Sequence, residues 1–300
     1  MIVQIYEIQS PHEAEICIEA GVDHIGSVLL SETEWKLPEL RETINLSDGT
    51  NVKNSIIPLF QDIDVISRSI DYYQPDFIHF CETLTDDEGM EADLEPYINI
   101  QTEIKKRYPG VGIIRSIPVP LKGMTLDFPT LNIARVFELI SDLFLTDTWL
   151  AKEPVKGFIG ITGKMCDPKI ARDLVIQSAI PVILAGGLSP ENVYEAVTNI
   201  IPAGADSCTL TNRLDNDGKP IRFQKDFEKV KRFVHETRRA ESVLIKKREL
   251  LGMEITELRE LLKDRLAALP AHSISPHQIQ VIEDLEDKIA EREEMLSGLI

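Results

Sequence analysis

Eight short, β-rich apolar runs alternate along this chain with helical or helix-sized segments, and that alternation leaves few folds open. The runs are IVQIYEI (2–8), HIGSVLL (24–30), SIIPLF (55–60), DFIHF (76–80), VGIIRSIPV (111–119), LFLTD (143–147), PVILAGG (181–187) and GADSCTL (204–210). Helices are expected at 11–20, 62–73, 94–107, 130–141, 167–178, 189–200 and 223–240. Ser10 and Ser189 read as N-caps with Pro11 and Pro190 at the first helical positions, and Gly21 closes the first helix. Strands separated by helices pair in parallel through crossovers. Eight such units in about 240 residues is the count of a closed (β/α)8 TIM barrel, an α/β fold. An open doubly wound sheet would require a glycine-rich turn after the first strand. Tyr6-Glu7-Ile8-Gln9-Ser10 contains no glycine.

Residues 240–300 follow a different rule. Leu244, Leu251, Ile255, Leu258, Leu262, Leu266 and Leu269 recur at helical spacing, the stretch 270–276 breaks the pattern, and Ile279, Ile282, Leu285 and Ile289 resume it. The expected organisation is a barrel over 1–239 followed by an α-helical hairpin over 240–300. The apolar seams need a covering surface, either a second subunit or partner or the barrel itself.

Charge and cysteine usage narrow the function. The chain carries 50 acidic against 32 basic residues, a net charge of −18. That argues against general affinity for nucleic acid or an anionic membrane, though it leaves room for a local phosphate site. Cys17, Cys81, Cys166 and Cys208 lie far apart with no CxxC pair, so neither a disulfide framework nor a paired-thiol zinc site is expected. The opening MIVQIYEIQS does not read as a signal peptide, and no apolar stretch reaches ~18 residues, so a cytoplasmic location without a membrane span is expected.

In barrels of this kind the chemistry sits at the C-terminal ends of the strands. Gly186 and Gly187 end the seventh run, and the helix after them offers exposed N–H groups to an anion. Ser207, Cys208 and Thr209 end the eighth, and together these two ends read as a phosphate site. Asp147 ends the sixth and could act as general acid or base if burial moved its pKa toward neutrality. Residues 157–164, GFIGITGK, are not a Walker loop because Met165 follows the lysine; a lid over the site is the functional alternative to an ordinary loop. Arg115 on the fifth run could meet an anionic substrate group or form an internal ion pair. His79, Cys81 and Glu82 end the fourth run but make a weak metal set, and no metal is expected.

At this level the residues resemble phosphoribosylanthranilate isomerase, the (β/α)8 enzyme of tryptophan biosynthesis, over about residues 1–235. PVILAGGLSPENVYEAV (181–197) is similar to the family's phosphate-binding strand and helix, and Ala205-Asp206-Ser207-Cys208-Thr209 to the stretch that completes that site. Asp147 in LTDT matches the family's general acid, Ile161-Thr162-Gly163-Lys164 with Asp167 resembles its GGTGK segment, and 13–26 resembles its first helix and second strand. The chain also departs from the family. Tyr6 stands where the family has its general-base cysteine, and Glu7 where it has glycine. A tyrosine with its ordinary pKa near ~10 is a poor base at neutral pH. Glu34 or Trp35 stands where the family has an arginine for the anthranilate carboxylate, with Lys36 next to it; Leu210 replaces a glycine, and the tail has no counterpart. The resemblance therefore implies a diverged barrel. It would bind a phosphorylated sugar-like metabolite on Gly186, Gly187, Ser207, Cys208 and Thr209, with Arg115 and His79 as further contacts. Asp147 would perform isomerase- or lyase-type acid–base chemistry, with Glu7 or a pKa-lowered Tyr6 as second group. No metal or redox cofactor is implied. The rival readings are a non-catalytic phosphate-ligand sensor or scaffold assembled through its C-terminal helices, and an authentic isomerase with a substituted base.

Overall fold

In a computed structural model, which describes residues 1–124, 127–270 and 272–299, the first eight strands close into one parallel barrel in sequential order. They are β1 (Ile2–Ile5), β2 (His24–Leu29), β3 (Lys53–Pro58), β4 (Phe77–Phe80), β5 (Gly112–Pro120), β6 (Leu143–Trp149), β7 (Val182–Leu184) and β8 (Gly204–Ser207), and β8 pairs back onto β1. Helices α1 (Pro11–Glu19), α2 (Pro38–Asn45), α3 (Ile63–Tyr73), α4 (Glu95–Arg107), α5 (Thr130–Phe137), α6 (Pro168–Gln177) and α7 (Val193–Ile200) make the crossovers. Local chemistry sets their starts. Ser10, Asp62 and Asp167 each accept backbone N–H groups at the first turn, and Pro11 and Pro168 occupy positions where the missing N–H costs nothing.

The strands are buried on both faces. One face packs outward against the helices, as in the cluster of Leu29, Ile56, Ile66, Ile70, Ile78 and Ile104. The other fills the barrel, where Tyr6, Ile114, Leu143, Leu145, Ile183 and Ala185 meet. The Tyr6 ring crosses this interior over Gly26 of β2, where a Cβ would lie 2.0 Å from two ring atoms.

Several boundaries differ from expectation. β1 stops at Ile5 because Glu7 takes a left-handed φ of 64°. β8 stops at Ser207, and 209–211 form a 3-10 turn. Ser189 is not the cap of α7: the Asn192 side chain bonds Gly187 O and Ser189 N, which holds 189–192 as a turn and delays the helix to Val193. Residues 212–225, expected as linker and helix, form an antiparallel hairpin of β9 (Asn212–Leu214) and β10 (Pro220–Lys225). Its turn is set by Asp215, whose side chain accepts from Asp217 N and Lys219 N, and by Gly218 at φ 77°. α8 then starts at Phe227, capped by Asp226, and runs unbroken to Ala267.

The chain divides into two compact units, Met1–Arg239 and Ala240–Ile300. The second consists of the remainder of α8 and of α9 (Pro276–Ser297), which begins with a capping box at Ser275 and Gln278. Leu251, Ile255, Leu285 and Ile289 are buried, and the helices are tied by Arg259–Glu293 and Arg292–Glu254 ion pairs. Leu266 and Ile279 of the expected seam are exposed. Ala271, in the expected break, lies outside the described residues. Among the described residues, no helix is long and apolar enough to cross a membrane.

The packing of Tyr6 on Gly26 is open to a direct check. Gly26→Ala should cost about 1–3 kcal/mol by overpacking, read from urea unfolding, and Gly26→Ala combined with Tyr6→Cys should recover part of it. Additive costs in the double variant would show that the two residues do not compete for this space.

Candidate active site at the barrel mouth

Two joined cavities open at the C-terminal ends of the strands. One is largely apolar, walled by Val28, Ile57, Leu59, Val155, Phe158 and Ile159. The other lies against Gly186, Gly187 and Thr209. Asp147, Ile161, Asp206 and Cys208 line both, so the two carboxyls stand where the cavities meet.

The carboxyl of Asp147 is held from beneath by four side chains in series. Ser116 Oγ donates to Asp147 Oδ2 at 2.7 Å, and His79 Nε2 lies 2.9 Å from Ser116 Oγ. His79 Nδ1 lies 2.6 Å from the Tyr6 hydroxyl, which lies 2.9 Å from Ser55 Oγ. With the Ser116 proton committed to an ionised Asp147, Ser116 must accept from His79 Nε2–H. Nδ1 is then an acceptor, and Tyr6 O–H donates to it. Ser55 in turn donates to Tyr6. The imidazole is neutral, since burial and Arg115 push its pKa down to about 3.

Residues 158–163, within the stretch read as a lid or an ordinary loop, line the two cavities. Thr83 N donates to Gly157 O and Ile159 N to Cys81 O, so the segment is hydrogen-bonded to the chain following β4. Gly160, at φ 114°, lets the backbone pass against Asp147: a Cβ there would come 3.2 Å from Oδ1. This enclosure raises the Asp147 pKa from 3.8 to about 7, chiefly by desolvation, although the carboxyl keeps some access to solvent through the mouth. Asp206 is pushed up to about 8, first by burial, against the lowering effect of Gln4 Nε2, which donates to its Oδ1 at 3.2 Å. A carboxyl titrating near neutrality can both give and take a proton.

Of the residues expected to form the site, Tyr6, Glu7, His79, Asp147, Gly186, Gly187, Cys208 and Thr209 come together here. Two do not. Ser207 is buried and donates to Leu188 O. Arg115 points outward, between Phe80 and Phe137, with Nε on Gln101 and Nη1 on Glu82 at 2.6 Å. Glu82, past the end of β4, is thus paired with the outward-pointing Arg115, and no group of three or more candidate metal ligands occurs among the described residues. Asp206 and Ser116 were not singled out in the sequence, since nothing local marks either as facing the barrel interior.

The neighbours of this barrel in sequence and shape are consistent with one another. No family model matches the chain. It is 36% identical over 148 residues to N-(5'-phosphoribosyl)anthranilate isomerase 2 of Methanosarcina mazei, across 49% of this chain and 57% of that protein. It is 27% identical over 244 residues to the corresponding isomerase of Methanothrix thermoacetophila, across 79% of this chain and 97% of that one. A phosphoribosylanthranilate isomerase solved in complex with reduced 1-(o-carboxyphenylamino)-1-deoxyribulose 5-phosphate superposes with a TM-score of 0.55 over 79% of this chain and 99% of its own, at 18% identity. At that identity the superposition speaks for the fold. The barrel is phosphoribosylanthranilate isomerase-like. The tail beyond it extends past the matched region.

Against that resemblance the departures acquire physical content. Tyr6, in the place of the base cysteine, has its pKa raised well above 10.0 by burial, the opposite of the lowering a general base would need. Glu7, which the resemblance sets against a glycine, takes a left-handed backbone at φ 64°, a conformation that costs a non-glycine residue roughly 1–3 kcal/mol. Arg222 from β10 offsets this by reaching Glu7 Oε1 through Nε at 2.7 Å and Nη2 at 2.6 Å. Trp35 and Lys36 both pack on Tyr72.

Because the folded pKa of Asp147 lies above its ordinary 3.8, the folded chain holds a proton that the unfolded chain has lost between about pH 4 and about pH 7. This contribution to stability is present in acid and is lost as pH rises through about 7. Asp147→Asn should therefore gain on the parent between about pH 4 and about pH 7, by at most roughly 4 kcal/mol, in unfolding measured across that range. A pH-independent difference would contradict the desolvation of this carboxyl.

Proposed function

We propose that the barrel binds a phosphorylated sugar-like metabolite and catalyses isomerase- or lyase-type proton transfer through Asp147. The observation that carries this reading is the placement of a carboxyl with a pKa of about 7 at the junction of the two cavities. The phosphate would lie by Gly186, Gly187 and Thr209, where backbone N–H groups rather than cationic side chains serve it. Gly187 has no room for a side chain, since a Cβ would come 2.5 Å from Lys164 C, so the backbone stays bare to a ligand. Asp147 then faces the sugar carbons. Ser116 orients it, and Asp206 is the second proton-transfer group in place of Tyr6 or the ion-paired Glu7.

Phosphoribosylanthranilate isomerisation itself is the second reading. The similarity that spans 97% of the Methanothrix protein favours it, and it requires Asp206 to replace the missing thiol as base. We further propose that the second unit joins copies of this chain, because Leu250 and Met253 on α8 are 60% and 61% exposed.

Thermal-shift screening with phosphorylated sugars tests the site. A ligand at ~100 times its Kd adds ~2.7 kcal/mol of stability. Thr209→Asp should remove the shift, and Asp147→Asn should keep the shift but lose at least 100-fold in turnover. Full activity in Asp147→Asn overturns the catalytic assignment, and binding without turnover in the parent leaves a ligand sensor. Phosphoribosylanthranilate turnover, followed directly, selects the second reading. For the second unit, Leu250→Glu with Met253→Glu should halve the mass in light scattering; an unchanged mass removes the assembly role.

A further inference from the structure

The apolar cavity constrains the half of the ligand that the phosphate site does not hold, and the argument rests on the proposed function. Its side walls are Val28, Ile57 and Leu59 from the ends of β2 and β3, and it is covered by Val155, Phe158 and Ile159. Among the described residues, no lysine or arginine lines it. The cationic groups beside its lining are committed elsewhere, Arg222 to Glu7 and Lys225 to Cys208 O and Asn212 Oδ1. Several of the polar groups that reach the cavity are already engaged. Both His79 ring nitrogens are paired with Tyr6 and Ser116, and the Tyr6 proton is committed to His79. Asp147 and Asp206 present carboxyls. An anion placed here would lose its water, find no lysine or arginine in the wall, and stand beside the carboxyl of Asp147. An uncharged apolar group would instead replace water against carbon on nearly every side.

We propose that the ligand's non-phosphate half is an uncharged apolar substituent, and that the cavity under Phe158 and Ile159 selects against a carboxylate at that position. The chain would thus share a phosphosugar site with the isomerase solved in complex, while rejecting the carboxyphenyl group that that protein's ligand carries. Specificity rests on what the wall lacks. One well-placed cation would restore the anion, so Ile57, Leu59 and Phe158 are the specificity-determining positions.

Titration calorimetry of the full chain with three probes tests this: ribulose 5-phosphate, reduced 1-phenylamino-1-deoxyribulose 5-phosphate, and its o-carboxyphenylamino counterpart. The phenylamino compound should bind at least tenfold more tightly than either of the others. Phe158→Ala should narrow its lead over ribulose 5-phosphate, and Leu59→Arg should raise affinity for the carboxylated probe. Equal or tighter binding of the carboxylated probe by the parent overturns the inference, as does a phenylamino compound no better than ribulose 5-phosphate. These comparisons stand on the parent chain even where a variant fails to fold. If none of the three binds, the phosphosugar reading itself falls and this inference falls with it.

Discussion

The site is organised around the burial of one carboxyl. Asp147 exchanges much of its hydration for a single hydroxyl donor, Ser116, and the pKa near 7 follows from that exchange. The barrel supports this from below with a chain of hydroxyl and imidazole groups. Each member has its proton direction set by the next, so moving any one disturbs the orientation of all. The segment over the mouth supports it from above, because Gly160 lets backbone rather than a side chain approach the acid. Burial raises the carboxyl's pKa and the Ser116 hydrogen bond lowers it, so loss of the enclosure would return it toward an ordinary aspartate.

Tyr6 illustrates how a substitution that removes one function can be built into another. Its bulk is admitted by the missing side chain at Gly26, and its hydroxyl, too high in pKa to act as a base, partners Nδ1 of His79. The same logic applies to its neighbour. Glu7 takes a backbone conformation suited to glycine and is held in it by Arg222 from a hairpin absent from the expected fold. Both of these departures from the resemblance are tied into hydrogen bonds or ion pairs.

Adjacent residues on one strand show how far sequence reading reaches. On β5, Arg115 carries the more conspicuous chemistry, yet it faces the helices and pairs with Glu82, while Ser116 turns inward to Asp147. On β8, Ser207 faces out to Leu188 O, and Asp206 faces the mouth. A strand buried on both faces is apolar on both, so its alternation carries no mark of which face is interior. The Gly186-Gly187 turn escaped this ambiguity because it stands past the end of β7, whereas Asp147 lies inside β6, which continues to Trp149 beyond the expected end. The β9–β10 hairpin carried a local turn signal in Asp215 and Gly218, and Asn192 displaced Ser189 as the residue before α7 through side-chain bonds that spacing alone does not disclose.

The sequence by itself determined the eight-fold alternation, the parallel closed barrel, the resemblance to phosphoribosylanthranilate isomerase and the separate character of residues 240–300. Periodicity, capping residues and turn chemistry act over a few residues and survive in one dimension. The tertiary structure alone decided which side chains share the barrel interior, because closure brings Tyr6, His79, Ser116, Asp147 and Asp206 together from five different strands or strand ends. It also decided the protonation of that group, since desolvation depends on everything packed around a carboxyl rather than on its neighbours in the chain.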